Sequence, residues 1–146
     1  MSAARVLGDW GSTNLRLFGI YYKHGENDLL PSPDKLDPAQ LRQLAALTRA
    51  RCGPLREFIN RGEAAAVAPP PLPPVDIGYT VWEHDRQVEK TLRLPPVLAA
   101  GWTLGGRTAL AFINLTDLEQ RFAHPAADGE VRVPPLEVTV LTVADR

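Results

Sequence analysis

Proline limits what this chain can fold into. Fourteen of the 146 residues are proline, twelve of them grouped at Pro31–Pro38, at Pro69–Pro74 and in the pairs Pro95-Pro96 and Pro134-Pro135. Each one locks φ and removes a backbone N–H donor, so no long helix and no central strand can run through a group. The chain is therefore divided into short elements, with a helix-forming block between the first two groups and strand-forming blocks after the second.

Residues 1–36 read as an irregular segment holding one short strand, Ala4–Leu7, an apolar stretch Leu15–Tyr22 and the polar loop KHGEND. Residues 37–62 read as an amphipathic helix. Asp37 suits the N-cap, and Pro38 suits the first helical position, where its missing N–H is not needed. Leu41, Leu44, Ala45, Thr48, Cys52, Leu55 and Ile59 recur at three- and four-residue intervals, which predicts that they form the apolar face. Pro54 cannot donate to the carbonyl of Ala50, so a kink is expected at Gly53-Pro54, and Gly62 is the expected cap at the end.

Residues 63–75, with the run VAPPPLPPV, read as an extended, semi-rigid spacer. Residues 76–146 read as an antiparallel β-sandwich. Its expected strands are Ile77–Glu83, Gln87–Leu94, Val97–Leu104, Thr108–Thr116, Leu118–His124, Glu130–Val133 and Leu136–Val143. Gly105-Gly106 and Asp128-Gly129 are turn signals, and Leu136, Val138 and Val140 alternate with Glu137 and Thr139 as in a sheet with one buried face. The expected fold is mostly β: a small antiparallel β-sandwich preceded by one kinked amphipathic helix and an irregular N-terminal segment. A sandwich of ~70 residues has too little interior to be robust alone, so it is expected to pack on the helix or on a larger body.

A hydrophobic fraction of 45%, a charged fraction of 23% and a formal charge of -1 belong to a soluble domain. They provide no field to draw nucleic acid or an anionic membrane, so neither is expected as a partner. The N-terminus has no apolar run like that of an export signal, which points to the cytoplasm. Cys52 stands alone, so an intrachain disulfide is impossible. It falls on the predicted apolar helix face, where a buried, inert thiol is expected.

Candidate chemistry is sparse. Glu83 and Asp85 lie two apart, on one face of a strand, and either form a carboxylate pair or mark a solvated edge beside Arg86. His24, Glu26 and Asp28 share a polar loop. His24, His84 and His124 lack a second ligand at metal-site spacing, so no metal is expected. No nucleophile setting occurs, and no catalytic residue is assigned. Tyr79, Trp82 and Trp102 sit on expected strands, where aromatic rings either stack on sugars or fill the core. Asn114-Leu115-Thr116 has the form of an N-glycosylation triplet and is expected to end a strand.

Two resemblances add to this reading. DWGSTNLR at residues 9–16 resembles the N-terminal phosphate loop of actin- and hexokinase-like sugar kinases, most closely 2-dehydro-3-deoxygalactonate kinases. That resemblance implies ATP and Mg²⁺ as cofactors, Asp9 on the metal side, and Gly11, Ser12, Thr13 and Asn14 as phosphate contacts. It covers eight residues, and the chain downstream shows no second phosphate loop.

The second resemblance is longer. LRQLAALTRARCGPLREFINRGE, the proline-rich stretch, LPPVLAAGWTLGGRTALAFINLTDLEQRF and PPLEVTVL together resemble the C-terminal region of bacterial glycoside-hydrolase-like proteins. In those, the last helix of a (β/α)₈ barrel leads into an all-β domain. The resemblance implies a non-catalytic domain, without a cofactor of its own, that supports a catalytic barrel on the same or another chain and contacts carbohydrate through exposed aromatics. A barrel needs ~250 residues, more than this chain has.

Overall fold

The computed structural model describes residues 38–83, 86–127 and 129–144, with the backbone only at 40, 79–83 and 87. The expected Ala4–Leu7 strand, the Asp37 cap and the loop of His24, Glu26 and Asp28 lie outside the described residues. Pro38 opens helix α1, Pro38–Cys52. After the break at Gly53-Pro54 comes helix α2, Arg56–Arg61. The break has a simple cause. The Ala50 carbonyl that Pro54 cannot serve accepts instead from the Leu55 N–H, one residue further on, at 2.9 Å. That widened turn redirects the chain without leaving a carbonyl stranded.

Eight strands follow among the described residues, each paired antiparallel: β1 Glu63–Ala65, β2 Val75–Glu83, β3 Arg86–Leu94, β4 Val97–Leu104, β5 Arg107–Asn114, β6 Gln120–Ala123, β7 Glu130–Val133 and β8 Val138–Ala144. The main sheet has the order β1-β4-β5-β8, while β2-β3 and β6-β7 are two-stranded ribbons. β1 was not expected. It falls inside the stretch read as a spacer and covers the edge of β4 by pairing Ala64 with Trp102. The run Glu63-Ala64-Ala65 carries no strand signal of its own, and its pairing comes from the neighbour.

The two faces of the main sheet bury different sets, as the two-residue period requires. On one face Ala100, Trp102, Ala109, Ala111 and Ile113 meet Leu47 and Ala50 of α1 and Leu55 and Phe58 at α2. On the other, Val97, Leu110 and Phe112 meet Phe122, Val131 and Val133 of the β6-β7 ribbon. The rings of Phe112 and Phe122 lie 5.2 Å apart, edge to face. The result is a small antiparallel β-sandwich whose larger sheet carries the helix pair on its outer face. Burial of each large side chain contributes ~2 kcal/mol.

Gly105 and Gly106 take φ of 57° and 73° between the paired residues Leu104 and Arg107. Two successive positive φ values form the tight turn that suits a twisted hairpin, and glycine takes them without strain. Gly101 serves a different purpose. A Cβ there would come within 2.5 Å of Val67 Cγ2, so its bare backbone lets the segment after β1 lie on the second face.

Expectations about five single residues need correction. The buried side of α1 is formed by Gln43, Ala46, Leu47 and Ala50, whereas Leu41 is exposed, as are Ala45 and Thr48. Cys52 is likewise exposed. The helix is turned from the predicted face because two alanines let it sit close to the sheet and Gln43 is drawn inward by a hydrogen bond. Leu136 does not begin the last strand. It holds φ of 57° as the third residue of a turn closed by the Glu137 N–H donating to the Pro134 carbonyl at 3.2 Å. Its buried side chain and the Leu136 N–H bond to Thr116 O, 2.9 Å, hold that left-handed conformation.

Candidate functional site

A concave surface is built where α2 lies against the start of β5. The Gly105-Gly106 turn delivers Arg107 at the first position of β5, and the short helix presents Arg56, Glu57, Asn60 and Arg61 opposite it. Together with Pro54, Phe58 and Thr142 they line an open hollow of about 600 Å³. Glu57 sits between two of the guanidinium groups: Oε1 is 3.3 Å from Arg61 Nη1 and Oε2 is 3.4 Å from Arg107 Nη2. The Arg107 guanidinium also lies over the Phe58 ring, 5.2 Å from its centroid. Phe58 itself is buried, so the cation rests on the rim of the core. Ion pair and ring together narrow the orientations open to the Arg107 fork. Arg56 has no ion-pair partner among the described residues, so the hollow holds three cations and one carboxylate.

At the other end of β5, Asn114 is wholly buried. Its Nδ2 donates toward the carbonyls of Leu118 at 2.7 Å and of Val133 and Pro134 at 3.0 Å each. Its Oδ1 accepts from the Thr116 N–H at 2.9 Å and the Thr116 hydroxyl at 2.8 Å. Its backbone carbonyl accepts from Gln43 Nε2 at 2.6 Å. Beside it, Arg49 Nη2 meets both oxygens of Glu137 at 2.9 and 3.0 Å. These bonds pin α1 to the end of β5 and to the loop before β8. Asn114 ends β5, as expected, and its engaged amide is closed to glycosylation in the folded domain.

Trp102 needs correction as a carbohydrate platform. It is 5% exposed and packs in the core beneath the helices. Its strand neighbours are small and apolar, so the ring supplies the bulk that the first face lacks. Tyr79 and Trp82 occupy β2 opposite Lys90 and Gln87, and their side chains lie outside the described residues. Glu83 pairs with Arg86 through the backbone; its side chain and Asp85 are outside the described part. So are Asp9, Gly11, Ser12, Thr13 and Asn14 of the phosphate-loop resemblance.

His124 lies at the rim of the second core. Its ring stands 5.0 Å from that of Phe112, Nδ1 accepts from the Ala126 N–H at 3.2 Å, and the buried Nε2 has no partner among the described residues. Burial lowers its pKa from the ordinary imidazole value. Among the described residues no group of three or more His, Cys, Asp or Glu side chains could hold a metal ion, and no helix is long and apolar enough to cross a membrane.

The hollow was not legible in the sequence, because Arg107 is separated from α2 by about half of the described chain. The only local hint was the Arg-rich wording REFINR around a short helix. Comparison with protein-family models, curated proteins and solved structures finds no match to this chain.

Proposed function

We propose that this chain is a non-catalytic β-sandwich domain, of the type that ends glycoside-hydrolase-like proteins, whose task is to pack against and steady a catalytic barrel. One observation carries the reading. The β2-β3 ribbon runs through nine antiparallel pairs, from Val75↔Leu94 to Glu83↔Arg86, yet joins no other strand among the described residues. From the ribbon, Ile77 and Leu94 reach the core. A two-stranded ribbon is marginal in water when nothing lies along it. A larger body against the ribbon provides the missing contacts. Five of the described carboxylates fit a supporting role too, since Glu57, Asp76, Glu119, Glu130 and Glu137 are held in ion pairs with arginine. Contact with carbohydrate, in this reading, falls to Tyr79 and Trp82 on the ribbon.

The DNA immediately upstream of the Met1 codon is the first test, and it is expected to encode an in-frame barrel. Adding that barrel to this chain should slow amide exchange in β2 and β3 at least tenfold; unchanged exchange there would remove the support role. Calorimetric titration with ATP and Mg²⁺ should give no heat. Binding that disappears in Asp9→Ala would replace this reading with the sugar-acid kinase one.

A further inference from the structure

We propose that the hollow between α2 and the start of β5 binds an oxyanion, either the carboxylate of a small organic acid or the tetrahedral head of a phosphate or sulfate ester. The site stands on its own geometry and does not depend on the role assigned to the domain. Arg56, Arg61 and Arg107 bring three positive charges to one concave surface, against the single carboxylate of Glu57. That leaves an excess of two in a chain whose formal net charge is -1. Such a local excess has a cost in mutual repulsion, which an anion relieves.

The donors are also ordered in advance. Each ion pair to Glu57 occupies one N–H of Arg61 and one of Arg107, while a guanidinium has five. The remaining donors form planar forks that match the oxygens of a carboxylate or phosphate two at a time. Arg107 is held by Glu57 on one side and the Phe58 ring on the other, so its side-chain freedom is already reduced before a ligand arrives. Asn60 and Thr142 add an amide and a hydroxyl to the wall, and Pro54 adds an apolar strip. This mixture favours a small ligand with an anionic head and polar substituents. A nucleic-acid backbone would require a longer basic track.

Glu57 has a second consequence. It competes with the anion for the same forks, so it sets the affinity low and makes the site sensitive to its removal.

Amide and arginine-side-chain NMR spectra of the full chain, titrated with citrate, inorganic phosphate and sulfate against chloride at constant ionic strength, test the proposal. Saturable shifts confined to Arg56, Asn60, Arg61 and Arg107 are expected for at least one of the three. Response to citrate alone identifies a carboxylate ligand, and response to phosphate or sulfate identifies a tetrahedral one. Arg107→Gln and Arg56→Gln should each raise Kd at least fivefold, with the amide spectrum of β5 and β8 unchanged away from the hollow. Glu57→Gln should lower Kd at least threefold, an effect that loss of structure would not produce. Shifts that never saturate, that spread over the whole surface, or that persist in Arg107→Gln would overturn the site.

Discussion

At the scale of the residue, Asn114 organises more of the fold than its single strand position suggests. Replacing it with alanine leaves the Thr116 N–H, one buried carbonyl and two partly buried ones without their partner, and a cost of about 3 kcal/mol is expected. Urea unfolding should show this as a lower midpoint with an unchanged slope. Gly101 gives a second expectation. Gly101→Ala should destabilise by about 2 kcal/mol through collision with Val67. Gly101→Ala combined with Val67→Ala should recover much of that loss, and a cycle showing additive effects would disprove the contact. His124 gives a pH dependence. Its folded pKa lies below the unfolded one, so the unfolded chain takes up a proton first as pH falls. Stability from this group is whole above the unfolded value near 6.5 and declines as pH drops through it toward the folded value. The loss in unfolding midpoint between pH 7.5 and pH 5 should therefore be smaller in His124→Gln than in the parent chain.

At the scale of the element, much was legible wherever a local rule decides. The strands Val97–Leu104 and Glu130–Val133 lie where their β-branched and apolar residues place them. The Gly105-Gly106 turn follows from the demand for positive φ, and the helix break follows from the missing N–H of Pro54. What could not be read depends on partners far away in sequence. The orientation of α1 hangs on Gln43 reaching a carbonyl 71 residues on, and β1 exists because β4 offers it an edge. Thr48 and Cys52 have the right spacing for a buried face, but spacing does not say which side the sheet will take. The corrected face is testable: Leu47→Ala should cost about 3 kcal/mol and Leu41→Ala less than about 0.5 kcal/mol by thermal or urea unfolding. Similar losses at the two sites would return the helix to its predicted orientation. The exposed Cys52 thiol should react with a thiol reagent in native buffer at a rate close to that in urea.

At the scale of the whole molecule, the sandwich formed by the described residues is thin on both sides. One face is completed by two short helices and the other by a four-residue-per-strand ribbon, so each layer relies on the central sheet. The prediction of a mostly β fold succeeded because proline breaks and period-two alternation are local signals. The hollow stayed hidden because it is assembled only when α2 and β5 meet. The segment after α2 ties these layers together. It leaves the helices, pairs with β4 as β1, and then lays Val67 and Leu72 on the opposite core, so the polypeptide wraps around the edge of the sheet like a strap. Such a strap can be cut without removing anything it binds. Elastase cleavage after the exposed Ala66 should yield a helical and a β fragment that still elute together, separating only in denaturant. The domain would thus be a natural split protein, with two complementary halves whose recognition is already written on the buried side of α1.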